Sequence, residues 1–278
     1  MCRWRSRQAD AAGPEHAVAR HRRAGDRARR YRRGATLIDE ARREGVKTIV
    51  YDIGVTATNP DWMITRNQEL VGKLQVEAAK KFAPKGNYAV LKGDPANDLA
   101  QTSDRSYAAG LTGAEGINVV YNDFIAGYDP AKAQSEAEAI LTRNDDDVAA
   151  FVVNNDGMAG GVVQALRGAG LNGKVFVSGL DADQANLNLI ALGDQTMTVF
   201  TPIDVMAKRA ADAAHQLGNG GTPESNSVAT TDKGDVPLWQ LDLVAVTKDN
   251  LCEFVEKIAP KGWVDPAAVV AGSDVKCE

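Results

Sequence analysis

The sequence predicts an α/β protein built on parallel sheet, and three observations in its central stretch predict it. Apolar runs of strand length recur at 148–153, 174–178 and 196–200. Between the first two lies a segment of helical spacing, with Val162, Val163, Leu166 and Leu171 on one side and Gly168, Gly170 and Gly173 closing it. Each run ends in hydrogen-bonding residues: Asn154, Asn155 and Asp156, then Asp181 and Asp183, then Thr201. Continuous apolar strands are those buried on both faces, as happens when amphipathic helices cover a parallel sheet. Ligands of such sheets bind beyond the carboxyl ends of the strands. Asn155, Asp156, Asp181 and Thr201 stand at those ends. Neutral or acidic groups of this kind suit a neutral, hydroxyl-rich ligand.

The other elements follow in order. Residues 36–44 read as a short helix ended by Gly45, and 46–51 as a strand leading to Asp52 and Ile53. A loop of turn residues at 54–61 precedes a short apolar stretch, Trp62 to Ile64. Residues 68–82 form an amphipathic helix with Leu70, Val71, Leu74, Ala78 and Phe82 expected inward. A strand at 87–92, a helix at 99–111 and a strand at 116–121 come next, the last leading to Asn122, Asp123 and Phe124. Pro130 occupies a favoured first-turn position of the helix that runs to 141. Beyond Pro202 a helix spans 203–217. Residues 218–233 are rich in Gly, Asn, Ser and Thr and read as an exposed connection. A strand at 238–246 and a helix at 247–258 complete the chain.

Composition bounds the function. At 278 residues with 44% hydrophobic content, the chain holds one large or two medium domains with a sizeable core. No apolar stretch approaches the roughly 18–20 residues that a membrane span needs. The net charge of -5 is uneven: residues 1–34 carry 11 Arg against Asp10, Glu15 and Asp26, a net of +8, which leaves about -13 for the rest. An acidic body does not favour nucleic acid. The first 34 residues have neither a signal-peptide core nor hydrophobic periodicity. A basic arm, a transit peptide and a misread frame all account for them. A one-base shift of Gly25–Arg33 permits an apolar strand, which favours the misread frame. Of the three cysteines, Cys252 and Cys277 are expected to form a disulfide that pins the C-terminal tail, against the alternative of two free thiols. Cys2 follows Met1 with no apolar segment before it.

Each candidate residue has a plain structural alternative. Asp156 is a natural helix N-cap, which leaves Asn155 for a ligand. Asp183 is expected to cap the following helix, which leaves Asp181. A metal or acid–base pair at Asp181 and Asp183 lacks a third ligand nearby. Gly157, Gly160 and Gly161 do not have the spacing of a dinucleotide loop, and Asp156 would repel a phosphate there. His215 reads as a surface residue. No nucleophile–base set, C-x-x-C or H-E-x-x-H pattern is visible, so neither an enzyme nor a cofactor is expected. Phe124, Tyr128 and Trp62 lie near strand ends, where an aromatic either stacks on a sugar ring or packs the core.

The blocks VVNNDGMAGGVVQAL, KVFVSGLDAD, IALGDQTMTVFTPI and AHQLGNG resemble the D-xylose-binding proteins of bacterial ABC sugar importers, which are type 1 periplasmic binding proteins. YDIG, DWMITRNQELVGKLQ and GNYAVLKGDPANDLAQ fit the same family upstream, so the resemblance covers roughly 35–278. It implies two α/β lobes joined by three crossovers and closing on one monosaccharide. It also implies a periplasmic or extracytoplasmic setting, a permease partner and a monomer. Carried over, the sugar-binding positions fall on Asp52, Asn155 and Asp181, with a polar loop near Asn97 and Asp98 and a stacking aromatic at Phe124 or Tyr128. In this sequence Ile53 stands where the family has arginine, and Thr201 where it has lysine. Each loss removes a charged donor worth about 1.5–3 kcal/mol if buried, so of xylose or a related sugar, a related monosaccharide is expected over xylose itself.

The resemblance divides the chain into a doubtful segment 1–34, a first lobe from 35–66 and 202–237, and a second from 67–201 and 238–278. The first lobe is then N-terminally incomplete, and poor or no sugar binding is the expectation for the chain as written. A sugar-responsive transcription regulator shares this fold and is the alternative function. Residues 1–34 lack the apolar spacing of its helix-turn-helix.

Overall fold

The computed structural model describes residues 24–55 and 57–277, so the readings of residues 1–23, including Cys2, lie outside the described residues. The chain opens with helix α1 (Ala24–Arg43), strands β1 (Ile49–Tyr51) and β2 (Trp62–Arg66), then α2 (Gln68–Phe82) and β3 (Gly86–Lys92). It continues through α3 (Asp98–Leu111), β4 (Ile117–Phe124), α4 (Pro130–Arg143), β5 (Ala150–Val153), α5 (Asp156–Gly168) and β6 (Phe176–Val177). Then come α6 (Gln184–Leu192), β7 (Met197–Phe200), α7 (Ile203–Gly218), β8 (Ser227–Thr231), β9 (Gly234–Leu241) and β10 (Val244–Thr247).

These strands make three sheets. The first has the order β1-β2-β9-β8, parallel except for the antiparallel edge strand β8. The second, β4-β3-β5-β6, is wholly parallel. The third is the antiparallel pair β7 and β10. The chain passes from the first sheet to the second after β2, returns after β7, and crosses again between β9 and β10.

Side-chain alternation explains why both main sheets need helices on both faces. In β2, Met63 packs with Ile38 of α1, while Trp62 and Ile64 pack with Met206 and Ala213 of α7. In β5, Phe151 and Val153 join the core under α4 and α5, while Ala150 and Val152 join that under α2 and α3. Local signals start the helices where the pattern demands. The Asn67 side chain accepts from Leu70 N–H at the head of α2, and that of Asp129 accepts from Ala131 and Lys132 N–H, followed by Pro130. The α4–α5 contact is close because Gly161 lies against the Pro130 carbonyl, where a Cβ would collide.

Several elements differ from the sequence reading. The helix expected at 36–44 begins at Ala24, and β4 runs on through Phe124. In α2 the buried stripe is Gln68, Val71, Gly72, Gln75, Val76 and Ala79, because the helix packs on α3 as well as on the sheet; Phe82 is 45% exposed. The strand β7 leaves the parallel sheet and pairs with β10 instead. The connection at 218–233 contains β8, whose polar residues and exposed Val228 are those of an edge strand. The expected strand at 238–246 is two strands in different sheets, β9 beside β2 and β10 beside β7. The last helix, expected at 247–258, opens as a 3-10 turn at Lys248–Asn250 and ends as a π turn at Phe254–Ile258.

Cys252 and Cys277 are joined by a disulfide spanning 25 residues. It ties the tail to the cluster in which Phe200 meets Phe254 and Trp263 edge-on, at 5.0 and 6.0 Å between centroids. Closing a loop of this length removes unfolded-state entropy equivalent to roughly 3 kcal/mol. Cys277→Ser is therefore expected to lower stability by about 2–4 kcal/mol. Urea unfolding should show this as a lower midpoint at unchanged slope, and adding a thiol reductant should reproduce it in the parent chain only.

Candidate functional site

The carboxyl ends of both parallel sheets open on one cleft. On the first-sheet side, Asp52 follows β1 with a left-handed backbone, φ 66°, and its N–H donates to the Ile64 carbonyl at 2.9 Å. Arg66 ends β2 beside it. Its Nη2 donates to Asp52 Oδ1 at 2.9 Å, and its Nη1 lies 3.6 Å from Asp181 Oδ1 on the opposite wall.

The second-sheet side is built from four loops. After β3, Asp94 Oδ1 accepts from Ala96 N–H at 2.8 Å and its Oδ2 accepts from Gly127 N–H at 2.7 Å. This carboxylate ties the Asn97 loop to the turn that carries Tyr128, itself at φ 52°. Gly93 makes that approach possible, since a Cβ there would meet Asn154 Oδ1 at 2.6 Å and the Tyr128 Cζ at 2.8 Å. Asn97 caps α3, accepting from Leu99 N–H. After β5, buried Asn154 donates to the Tyr107 hydroxyl, which donates to Gln75 Oε1 at 2.6 Å. Gln75 Nε2 in turn donates to the Val153 and Gly179 carbonyls. The chain reverses the expected roles of its neighbours. Asn155 is the cap of α5, with Oδ1 accepting from Met158 N–H, whereas Asp156 lies fully buried inside the first turn.

Asp156 supports the fourth loop. Its Oδ2 accepts from Asp183 N–H at 2.9 Å and its Oδ1 from Gln195 Nε2 at 3.0 Å. Gly179 passes so close to this carboxylate that no Cβ fits. The Asp183 side chain makes no capping bond to α6, contrary to expectation, because its backbone is held by Asp156 instead. Asp181 and Ala182 consequently adopt φ of 115° and 54°. Such strained backbone persists only where the surroundings over-determine it, and it concentrates at binding sites.

Two adjoining cavities of about 170 and 350 Å³ share Arg66 and Asp181. The first receives Asn97, Tyr128 and Asn155, and the second Asp52 and Thr201. Six of the eight sequence-derived positions are thus brought together. Two are not. Asp98 is exposed in the first turn of α3, because the cap at Asn97 turns it outward. Phe124 ends β4 with the Lys92 ammonium 4.2 Å from its ring, held there by the Lys92–Asp104 ion pair. Trp62 is core, 2% exposed, with Nε1 donating to the Glu224 carbonyl. Sequence reasoning missed Arg66, Gln68, Asn154 and Trp263, all of which line the cavities. Arg66 and Gln68 follow the apolar run 62–64. Taking that run as a strand would have placed them by the same carboxyl-end rule that found Asp52.

Three buried side-chain atoms have no hydrogen-bond partner among the described residues: Arg66 Nε, Gln68 Oε1 and Thr201 Oγ1. All three belong to residues lining the two cavities. Leaving such a group unpaired costs roughly 1–3 kcal/mol, so their gathering in one cleft marks where an external polar group belongs. Among the described residues no cluster of three His, Cys, Asp or Glu is placed to hold a metal.

Electrostatics sharpen the cleft. Burial between the walls pushes Asp181 up to about 7, opposed by Arg66 and assisted by Asp183 and Asp52. The side chain keeps 41% of its surface, which weakens the effect of burial. Burial likewise raises Asp156 well above the usual carboxylate range, and Asp183 to a lesser degree.

Two parallel-sheet lobes crossed three times by the chain, with polar residues converging from both on a shared cleft, define a two-lobed ligand-binding protein. The chain belongs to the family of the periplasmic binding protein domain, whose model matches residues 32–222. It is 36% identical over 226 residues to the D-xylose-binding periplasmic protein of Escherichia coli K12, covering 80% of this chain and 68% of that protein. The D-xylose-binding periplasmic protein of Haemophilus influenzae gives the same identity and coverage. In fold it is similar to an ABC transporter solute-binding protein from Clostridium phytofermentans with bound β-D-glucose. The TM-score is 0.72 at 22% identity, over 84% of this chain and 78% of that one. These relatives are binding proteins and not enzymes, as the sequence reading expected, and their periplasmic setting implies an extracytoplasmic protein. No helix among the described residues is long and apolar enough to cross a membrane.

The raised Asp181 carboxyl has a consequence for stability. Its folded pKa of about 7 lies above the unfolded value of about 3.9, so folding takes up a proton between those limits. Its contribution is fully present below about pH 4 and is lost as pH rises through about 7. The stability of the parent relative to Asp181→Asn is expected to fall over that window, by on the order of 1–2 kcal/mol after allowing for partial exposure. Urea midpoints of the two chains at pH 4.5 and pH 8 check this.

Proposed function

We propose that this chain captures one monosaccharide, xylose or a related sugar, between its lobes and delivers it to an ABC permease. The observation that carries the reading is the convergence of Arg66 Nε, Gln68 Oε1 and Thr201 Oγ1, unpaired, on one cleft. A sugar hydroxyl is both donor and acceptor, so a ring of hydroxyls can satisfy all three together with Asn155 and Asp181. Tyr128 offers a ring face to the apolar side of a pyranose. The D-xylose-binding names of two relatives support a pentose. Asp52, Asn97, Tyr128, Asn155, Asp181 and Thr201 are the residues assigned to the ligand. The protein acts in the periplasm as a monomer, without a cofactor and without nucleic acid.

Calorimetric titration with D-xylose, D-glucose, D-allose and myo-inositol tests this. A saturable one-to-one isotherm with at least one of them is expected, and Tyr128→Ala should weaken it about tenfold, the loss of roughly 1.4 kcal/mol of ring stacking. A flat titration with every sugar would overturn the reading. The same experiment decides the expectation that the chain as written binds sugar poorly or not at all.

A further inference from the structure

Arg66 holds a position that no other residue of the cleft shares. Among the described residues lining the two cavities it is the only basic one. It borders both cavities, and it reaches carboxylates from both walls: Asp52 at 2.9 Å and Asp181 at 3.6 Å. Its side chain is 13% exposed. A guanidinium has five N–H donors in a rigid fork, and here a hydrogen bond to protein engages Nη2 alone. Nε is buried and unpaired, and the Nη1–Asp181 separation is too long for a hydrogen bond.

That separation fits a third atom. An oxygen about 2.8 Å from each partner closes a triangle on a 3.6 Å base. A hydroxyl placed there accepts from Nη1 and donates to Asp181 Oδ1, using both of its hydrogen-bonding capacities. Ether and methylene positions of a ring satisfy at most one of the two. We propose that Arg66 is a specificity-determining residue, and that Arg66 and Asp181 grip the same sugar hydroxyl from opposite walls. The hydroxyl so held is then the one whose presence the cleft reads most stringently. A site built to hydrogen-bond a hydroxyl rejects the analogue that lacks it, because its own buried groups are left unpaired. The other charged groups facing this point are Asp52 and Asp183. Both are acceptors, so neither substitutes for the arginine as donor.

This inference rests on the sugar-binding reading above, and the test separates the two. D-xylose and its singly deoxygenated analogues are titrated calorimetrically into the parent chain and Arg66→Met. Arg66→Met is expected to weaken D-xylose at least tenfold. For one analogue, the one missing the gripped hydroxyl, the substitution should make little further difference. An equal loss for D-xylose and every analogue would mean a merely structural arginine and would overturn the proposal, as would unchanged affinity. Binding of no pentose by the parent chain would overturn this proposal, and the sugar-binding reading falls with it only if D-glucose, D-allose and myo-inositol also titrate flat. If Arg66→Met does not fold, the parent chain still decides the matter: the Arg66 Nη–H resonances must shift on saturation with D-xylose but not with the analogue that lacks the gripped hydroxyl, and stationary Nη–H signals reject the contact.

Discussion

The cleft depends on one buried carboxylate. Asp156 lies in the first turn of α5, where helix N–H groups and the positive end of the helix dipole favour an acceptor. It accepts the Asp183 N–H and the Gln195 amide, and Gly179 lets the chain pass over it. With both ends of the Gly179–Asp183 loop drawn onto this group, Asp181 must cross the gap with positive φ and face Arg66. Burial raises Asp156 well above the usual carboxylate range, opposed by the Asp183 N–H and the Gln195 amide that donate to it. A small hydrogen-bonded knot beneath the loop thus sets the geometry of Asp181, a cleft carboxylate that it does not hydrogen-bond.

Around that knot the two parallel sheets do what parallel sheets must. Every strand but the antiparallel edge strand β8 delivers its carboxyl end to the same side, and side-chain alternation commits both faces to helices, so the polar loops have only the cleft to face. The crossings after β2 and after β7 join the lobes at segments that line the cleft, and a third runs between β9 and β10. Arg66, Gln68 and Thr201 stand at the first two of these crossings. This places the unpaired buried atoms at segments that join the lobes.

Much of this was legible in the sequence because it is local. The apolar runs at 148–153 and 196–200 are strands, the Asn67 and Asp129 caps stand where their helices begin, and Asp52, Asn155 and Asp181 follow strand ends. The resemblance to sugar-binding proteins rested on blocks in order, and the family match bears it out. What misled was also local. In the run VVNNDG, Asn155 and Asp156 are equally good caps by composition, and only the fit of the Asp156 carboxylate beneath a distant loop distinguishes them. Phe124 and Tyr128 are likewise equivalent as letters. Lys92 and its partner Asp104 claim the first, and the turn held by Asp94 delivers the second.

The sequence by itself determined the fold class, the family and most of the polar groups at strand ends, since hydrophobic period, capping chemistry and strand direction act over a few residues. Tertiary structure alone decided that β9 and β10 belong to different sheets, that β7 turns antiparallel, and that Arg66 meets a carboxylate 115 residues away in the chain. Strand pairing and cross-cleft contacts depend on which surfaces remain unburied once the whole chain has packed. No local pattern encodes that remainder.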